Sequence, residues 1–225
     1  MNLAEINIPI VDFAGFASAD AVMREATVAA LRAALESCGF MYLRNHGISQ
    51  TQIDAVFAQS RAFFSLPQKT KDQTKPREKG STRGYEGVGI QALDAGRPGD
   101  LKEIFQCGAE PATVRSNAWP GGMPEFRATL LGFLEAANVR CNELMKAIAV
   151  ALGLPANFFE PYHDHNDSTL RLLHYPPLTG ALAGGQLRAG AHTDFGGMSL
   201  LFQDDEDGLE IQSPGGRWIA APALP

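Results

Sequence analysis

Cysteine is scarce in this chain of 225 residues, with three thiols at Cys38, Cys107 and Cys141. An odd, widely spaced set excludes a disulfide framework and fits the reduced thiols of a cytoplasmic protein. Clustered positive charge is also lacking: 19 Lys and Arg stand against 25 Asp and Glu, for a net charge of −6. A nucleic-acid partner needs a basic footprint, so that class is disfavoured. The one local basic run, Lys69 to Arg83, lies in a Pro-, Gly- and Thr-rich stretch and reads as a solvated loop. No apolar run is long enough to cross a bilayer, and the segment Met1–Ile10 has no cationic region before an apolar one. Neither a signal peptide nor a membrane span is expected, and the expected location is the cytoplasm. What is present is ordinary globular composition, 45% hydrophobic and 20% charged, enough for one large domain or two small ones.

Short elements alternate along the chain. Ile8 to Phe13 reads as an edge strand. Ser18 or Asp20 can cap a helix with Val28, Leu31, Leu35 and Cys38 on one face, stopped at Gly39. Phe40 to Arg44 reads as a strand and Asn45-His46-Gly47 as the turn leaving it. Ser49 with Gln52 forms a capping-box pattern, opening a helix with Ile53, Val56, Phe57, Ser60 and Phe64 on one face and Pro67 at its end. Residues 67–100 have no sustained period and read as a long loop holding a strand fragment or two. Asp100-Leu101-Lys102-Glu103 leads back into a strand at Ile104-Phe105. From Glu125 to Leu152, the positions Leu130, Leu134, Ala137, Cys141, Leu144, Ile148 and Leu152 make one helical stripe, closed by Gly153 and Pro155. After residue 167, Thr169–Tyr175, Met198–Gln203, Leu209–Gln212 and Arg217–Ala220 read as short strands with turns between them, the spacing of a barrel or sandwich.

The sharpest chemical feature is His192-Thr193-Asp194. In an extended segment, residues i and i+2 project to the same side, so the imidazole and the carboxylate can converge on one ion. Two histidines and one carboxylate on one octahedral face leave three positions open, which suits iron(II) oxygenases. Taken alone, a His-x-Asp triplet occurs by chance in many proteins and reads as a surface turn. His163-Asp164-His165 is a second i, i+2 arrangement, and its neighbours Pro161, Asn166 and Asp167 favour an exposed loop. His46 sits in a turn and reads as a structural hydrogen-bonding residue. His174 reads as a packing residue on the face of its strand opposite to Tyr175.

The wider context resembles a known family. Leu170-Arg171-Leu172-Leu173-His174-Tyr175-Pro176-Pro177, followed by Ala191-His192-Thr193-Asp194-Phe195-Gly196-Gly197-Met198-Ser199 and Gly216-Arg217-Trp218, is similar to the isopenicillin N synthase-like branch of the iron(II)/2-oxoglutarate-dependent oxygenases. Upstream, Ile8-Pro9-Ile10-Val11-Asp12-Phe13, Cys38-Gly39-Phe40 through His46-Gly47-Ile48, Arg83-Gly84-Tyr85 and Asp100-Leu101-Lys102-Glu103 look like that branch's earlier motifs. The resemblance implies an α+β chain built on a double-stranded β-helix (jelly roll) with flanking helices. It implies an amino-terminal region over residues 1–110, a long helix and linker over 111–167, and the first part of the jelly-roll core over 168–225. His192 and Asp194 become two of three iron ligands, and Tyr175 becomes the tyrosine that reaches the distal carboxylate of the co-substrate. Leu173 stands where many relatives have Asn. Phe195 and Gly196-Gly197 are expected to shape the turn beside the metal. Lys102 and Glu103 are expected either near the substrate side or as a surface ion pair.

The implied cofactors are iron(II) and the co-substrate 2-oxoglutarate, with ascorbate as an activator. The implied reaction uses dioxygen to hydroxylate, desaturate, ring-close or form ethylene from a small organic substrate. In the family a third ligand, a histidine, and an Arg-x-Ser motif follow well downstream of the His-x-Asp pair, and neither falls before Pro225. The expectation is a jelly roll incomplete at its carboxy terminus, with little or no oxygenase activity in this chain alone. Two alternatives stay open: an isopenicillin N synthase-like oxidase that uses no 2-oxoglutarate, and a non-catalytic binding protein on the same fold.

Overall fold

The computed structural model describes residues 8–78, 80–92, 96–110, 115–163, 167–178, 184–194 and 196–224. In chain order the elements are β1 (Ile10–Asp12), a 3-10 turn (Phe13–Ala17), α1 (Ala21–Ser37), β2 (Tyr42–Arg44), α2 (Gln50–Phe64) and α3 (Gln68–Asp72). They continue with β3 (Gly84–Glu86), β4 (Glu103–Gly108), α4 (Pro124–Ala151), a second 3-10 turn (Glu160–Tyr162), β5 (Thr169–His174), β6 (Glu210–Gln212) and β7 (Trp218–Ala220). Two compact units result, each discontinuous in sequence. One comprises Met1–Ser49, Val139–Asp164 and Leu200–Pro225, and the other Gln50–Asn138 and His165–Ser199.

In the first unit β1 and β2 pair in parallel, Ile10 opposite Tyr42 and Asp12 opposite Arg44. Parallel partners need a crossover, and α1 supplies it. The helix opens at Asp20, whose carboxylate accepts the Val22 N–H at 2.9 Å, the N-cap role expected of it. It closes at Gly39, where φ is +74° and the N–H donates to the Ala34 carbonyl at 3.2 Å. The buried face is Thr27, Leu31 and Ala34, turned slightly from the expected one, with Val28, Leu35 and Cys38 half-buried. Close approach at Gly15 causes the turn: a Cβ there would lie 2.2 Å from Thr27 Oγ1, and that hydroxyl donates to the Asp12 carbonyl at 3.3 Å. Antiparallel β6 and β7 form a hairpin whose Ile211 joins Ile8 and Ala221 in a small buried cluster against Tyr42 and Ile219. The Tyr42 hydroxyl donates to the Pro222 carbonyl at 2.7 Å.

The second unit is built on the antiparallel sheet β3-β4-β5. All six residues of the central strand β4 are buried, as expected where both faces are covered. Tyr85 pairs with Phe105 and Phe105 with Leu172 across the sheet. Against it lies an aromatic core: the Phe63 ring sits 4.8 Å from Phe105, 5.0 Å from Phe126 and 6.0 Å from Tyr85, centroid to centroid. Phe63 was not on the expected apolar face of α2, yet it follows Val56 by two helical turns and so shares its side. Phe57 and Ser60, placed on that face from sequence, are only half-buried.

Three further expectations change. The stretch after Pro67 holds the short helix α3, which opens directly on that proline as the Thr70 N–H donates to the Pro67 carbonyl at 2.8 Å. The helical stripe ends before Leu152, which is 56% exposed, because Gly153 at φ +74° turns the chain. The expected strand Met198–Gln203 does not form among the described residues. No ladder reaches it; side chains hold it instead, with Phe202 edge-on to His46 at 5.8 Å and Gln203 Nε2 donating to the Ala221 carbonyl at 3.1 Å. The α+β expectation holds, as helices are mixed with one three-stranded and two two-stranded sheets. No described helix is long and apolar enough to cross a membrane.

Phe63 is fully buried among four rings. Emptying such a site costs about 3–5 kcal/mol, so Phe63→Ala is expected to lower the urea midpoint sharply. Exposed Phe40, at 49% accessibility, should tolerate the same substitution with a small shift in a parallel denaturation series.

Candidate metal and co-substrate site

The site grows from the loop between β5 and residue 194. His192 Nδ1 lies 3.0 Å from the Gly190 carbonyl. A carbonyl only accepts, so Nδ1 donates this hydrogen bond, and in the neutral imidazole Nε2 carries the lone pair that an ion would use. Nε2 faces Asp194 Oδ1 at 3.6 Å. The second carboxylate oxygen of Asp194, Oδ2, accepts the Ser199 hydroxyl, which turns Oδ1 toward the imidazole. Metal–nitrogen and metal–oxygen bonds of about 2.0–2.2 Å span a 3.6 Å gap, so one ion can touch both atoms. Both side chains are accessible, at 42% and 56%. The donor set fits a divalent ion: one imidazole, one carboxylate, and an outer shell orienting each. Among the described residues no group of three His, Cys, Asp or Glu side chains gathers to hold a metal.

A buried carboxylate fixes the base of this loop. Asp100 Oδ1 accepts the Gly190 N–H at 3.1 Å, and Asp100 Oδ2 pairs with Lys102 Nζ at 2.8 Å, both side chains about 95% buried. The same segment accepts and donates along the loop: Leu101 N–H to the Leu187 carbonyl at 2.9 Å and Gln186 Nε2 to the Gly99 carbonyl at 3.1 Å. Asp100 also acts on Tyr175. Burial, then the Asp100 charge, raises the pKa of that phenol, while Arg188 works the other way. Tyr175 follows the last residue of β5 and is 39% exposed; Leu173, on the same side of the strand by alternation, is 37% exposed.

On the opposite side of β5, His174 packs as expected, stacked on Phe64 at 5.1 Å. It also enters a buried polar network that sequence did not reveal. Glu103 receives His174 Nδ1 at 2.7 Å, Lys71 Nζ at 2.7 Å and the Tyr85 hydroxyl at 2.6 Å. Burial by itself raises the Glu103 carboxyl, but the hydrogen bonds from Lys71, Tyr85 and His174 outweigh it and hold its pKa below the ordinary value of 4.5. The Tyr85 phenol is pushed up to about 12, by burial first and by its bond to Glu103. The expectation of a surface pair at Lys102 and Glu103 is therefore corrected. Both are buried, at 4% and 5% exposure, and each has a different partner.

Of the remaining candidates, His46 is the turn residue expected, its Nδ1 accepting the Ile48 N–H at 3.3 Å, with burial lowering its pKa. His163 is exposed, while Asp164 and His165 lie outside the described residues, as does Phe195. All three cysteines are free, and burial pushes the Cys107 thiol up to about 12. Asp100 and Ser199 lie inside the family-like motifs, where the sequence by itself assigns them no role. The Gly190 carbonyl offered no signal at all, since a backbone acceptor has no sequence signature.

Comparison with known proteins bears on the family of the chain. The family described as non-haem dioxygenase in morphine synthesis, N-terminal, matches residues 8–122, and the 2OG-Fe(II) oxygenase superfamily matches residues 161–225. The proline hydroxylase buaE of Petromyces alliaceus is 36% identical over 89% of this chain and 66% of its own length. The 2-oxoglutarate-dependent dioxygenase htyE of Aspergillus rugulosus is 32% identical over 91% of this chain and 67% of its own. A full-length Neurospora crassa protein crystallised in complex with alpha-KG superposes with a TM-score of 0.87 at 32% identity, covering 100% of this chain and 72% of that one. A 2OG-Fe(II) oxygenase family protein from Caulobacter crescentus gives 0.82 at 32% identity, covering 98% and 72%. The chain belongs to the iron(II)/2-oxoglutarate oxygenase superfamily, whose members use iron(II) and 2-oxoglutarate. It spans about two thirds of the length of the curated relatives it matches.

The depressed Glu103 carboxyl has a sign to test. A folded-state pKa below 4.5 gives stability that is present above that value and lost as pH falls through the folded-state one. The chain is expected to lose stability on acidification below about pH 4.5. Glu103→Gln should be less stable at neutral pH and show a flatter acid limb when melting temperature is followed from pH 7 to pH 3.

Proposed function

We propose that this chain carries part of the active site of an oxygenase that couples oxidation of a small organic substrate to the breakdown of 2-oxoglutarate, with hydroxylation among the outcomes open to it. The observation that carries the proposal is the convergence of His192 Nε2 and Asp194 Oδ1 at 3.6 Å, with each outer atom already held by Gly190 and Ser199. In this reading the three small sheets are part of the family's jelly roll, and His192 and Asp194 are two of the three iron ligands. The named relatives, a proline hydroxylase and a 2-oxoglutarate-dependent dioxygenase, support a small-molecule substrate.

Iron(II), when bound, supplies the activation of dioxygen against 2-oxoglutarate. The chain's own part is to hold and orient. The proton fixed on Nδ1 of His192 keeps the donor nitrogen aimed outward, and the Ser199 hydroxyl keeps one oxygen of Asp194 beside it. Tyr175 stays protonated under the combined effect of burial and Asp100, so its hydroxyl can donate to the distal carboxylate of 2-oxoglutarate. Leu173, beside it, replaces an amide by an apolar group and offers that carboxylate no further hydrogen bond.

Two described protein donors hold a labile divalent ion less firmly than three. The chain by itself is thus expected to release succinate at little more than the metal-only rate. A longer protein containing this stretch, at the relatives' full length, is expected to form succinate from 2-oxoglutarate with iron(II). There His192→Ala or Asp194→Ala should cost more than the roughly 10–100-fold typical of outer-shell changes. Tyr175→Phe should raise KM for 2-oxoglutarate with a smaller effect on kcat, the pattern of lost ground-state binding. Undiminished turnover in both ligand variants would overturn the proposal.

A further inference from the structure

We infer that Asp100 is a positioning residue for the His192 donor, acting through the backbone of Gly190 with Lys102 as its buried counter-charge. The inference rests on the reading of His192 and Asp194 as metal ligands and extends it to a residue on another segment of the same unit.

The connection runs through single atoms. Lys102 Nζ meets Asp100 Oδ2 at 2.8 Å, and both side chains are almost wholly out of water. A buried carboxylate with a buried partner is locked in orientation, because rotating either group would leave a charge unpaired in a poor solvent. Asp100 Oδ1 is thereby aimed at Gly190, whose N–H it accepts at 3.1 Å. The carbonyl of that same residue receives His192 Nδ1 at 3.0 Å. One face of the Gly190 unit is anchored to Asp100 and the other orients the imidazole. The plane of the ring thus depends on a carboxylate that never touches it.

Asp100 is itself held firmly at its backbone. Its N–H donates to the Gln91 carbonyl at 2.7 Å, and its carbonyl accepts the Gly89 N–H at 2.9 Å. At the neighbouring Gly99 the two segments approach so closely that a Cβ would lie 2.1 Å from the Gly89 carbonyl oxygen. A glycine is required there, and its presence lets the Asp100 segment lie flat against its partner. The anchor is rigid where the ligand loop is exposed: His192 and Asp194 are both open to solvent, so little else in the loop fixes the imidazole. Gly190 is the one buried residue of the stretch 184–194.

The test separates positioning from bulk stability. Asp100→Leu/Lys102→Met removes the pair together, so neither charge is left orphaned, while Asp100→Asn/Lys102→Met orphans no charge either and keeps an acceptor oxygen for Gly190. Backbone amide exchange is measured on the metal-free chain, and zinc(II), a redox-inert probe, is titrated by calorimetry. The Leu/Met variant is expected to lose protection at Gly190 while β4 and α4 stay protected, and to bind zinc(II) roughly 10–100-fold more weakly, the usual cost of losing an outer-shell partner. The Asn/Met variant should recover most of both losses. Unchanged exchange at Gly190, or unchanged zinc(II) affinity beside a His192→Ala control that binds poorly, overturns the inference alone. A His192→Ala control that binds as tightly as the wild type overturns the ligand reading, and the inference falls with it.

Discussion

A charge taken out of water has to be paired, and the stretch Asp100–Glu103 takes three charges out of water at once. Asp100 and Lys102 satisfy each other; Glu103 draws in Lys71, Tyr85 and His174. Each pairing ties down a different piece of chain. Through Asp100 the loop before His192 is fixed; through Glu103 the helix α3, the strand β3 and the end of β5 are fixed. The desolvation penalty of such groups is large enough that alternatives leaving any of them unpaired are strongly disfavoured. The local architecture of the second unit therefore follows from charge satisfaction as much as from its aromatic core.

The strand β5 shows how one segment can serve two ends. Its alternation sends Leu172 and His174 toward the core and leaves Leu173 and Tyr175 facing away. The core-facing residues set the strand's position through Phe64 and Glu103. The outward residues then stand at a surface that stays accessible, as a co-substrate would require. Rigidity on one side makes exposure on the other tolerable, because a half-exposed tyrosine holds its place only if the backbone beneath it does.

The pair proposed as metal ligands has the opposite character. His192 and Asp194 lie on an open loop, where nothing resembling a core restrains them. Their orientation depends on single hydrogen bonds from the Gly190 carbonyl and the Ser199 hydroxyl. Such arrangements suit a site that must admit ligands to an ion from outside, since a tightly packed pair would have no open face. The cost of the openness is dependence on outer-shell groups, and under the proposed ligand role that brings in a buried aspartate more than ninety positions upstream.

The sequence by itself determined much of the local structure. The cap at Asp20, the stop at Gly39 and the stripe from Leu130 to Leu144 follow from propensity and period, which are properties of neighbouring residues. The triplet His192-Thr193-Asp194 was legible as a candidate only through the resemblance of its surrounding motif to the family, because i, i+2 spacing alone also fits a surface turn. Three things were decided only by tertiary structure. The burial of Lys102 and Glu103 depended on partners at Asp100 and Lys71, and charged residues read in isolation are ordinarily placed in solvent. The apolar run Met198–Gln203 had the composition of a strand but gained no ladder, since pairing requires a second strand that no local pattern supplies. The link from Asp100 to His192 passes through a backbone amide and a backbone carbonyl, which every non-proline residue possesses, and only folding selects which of them meet.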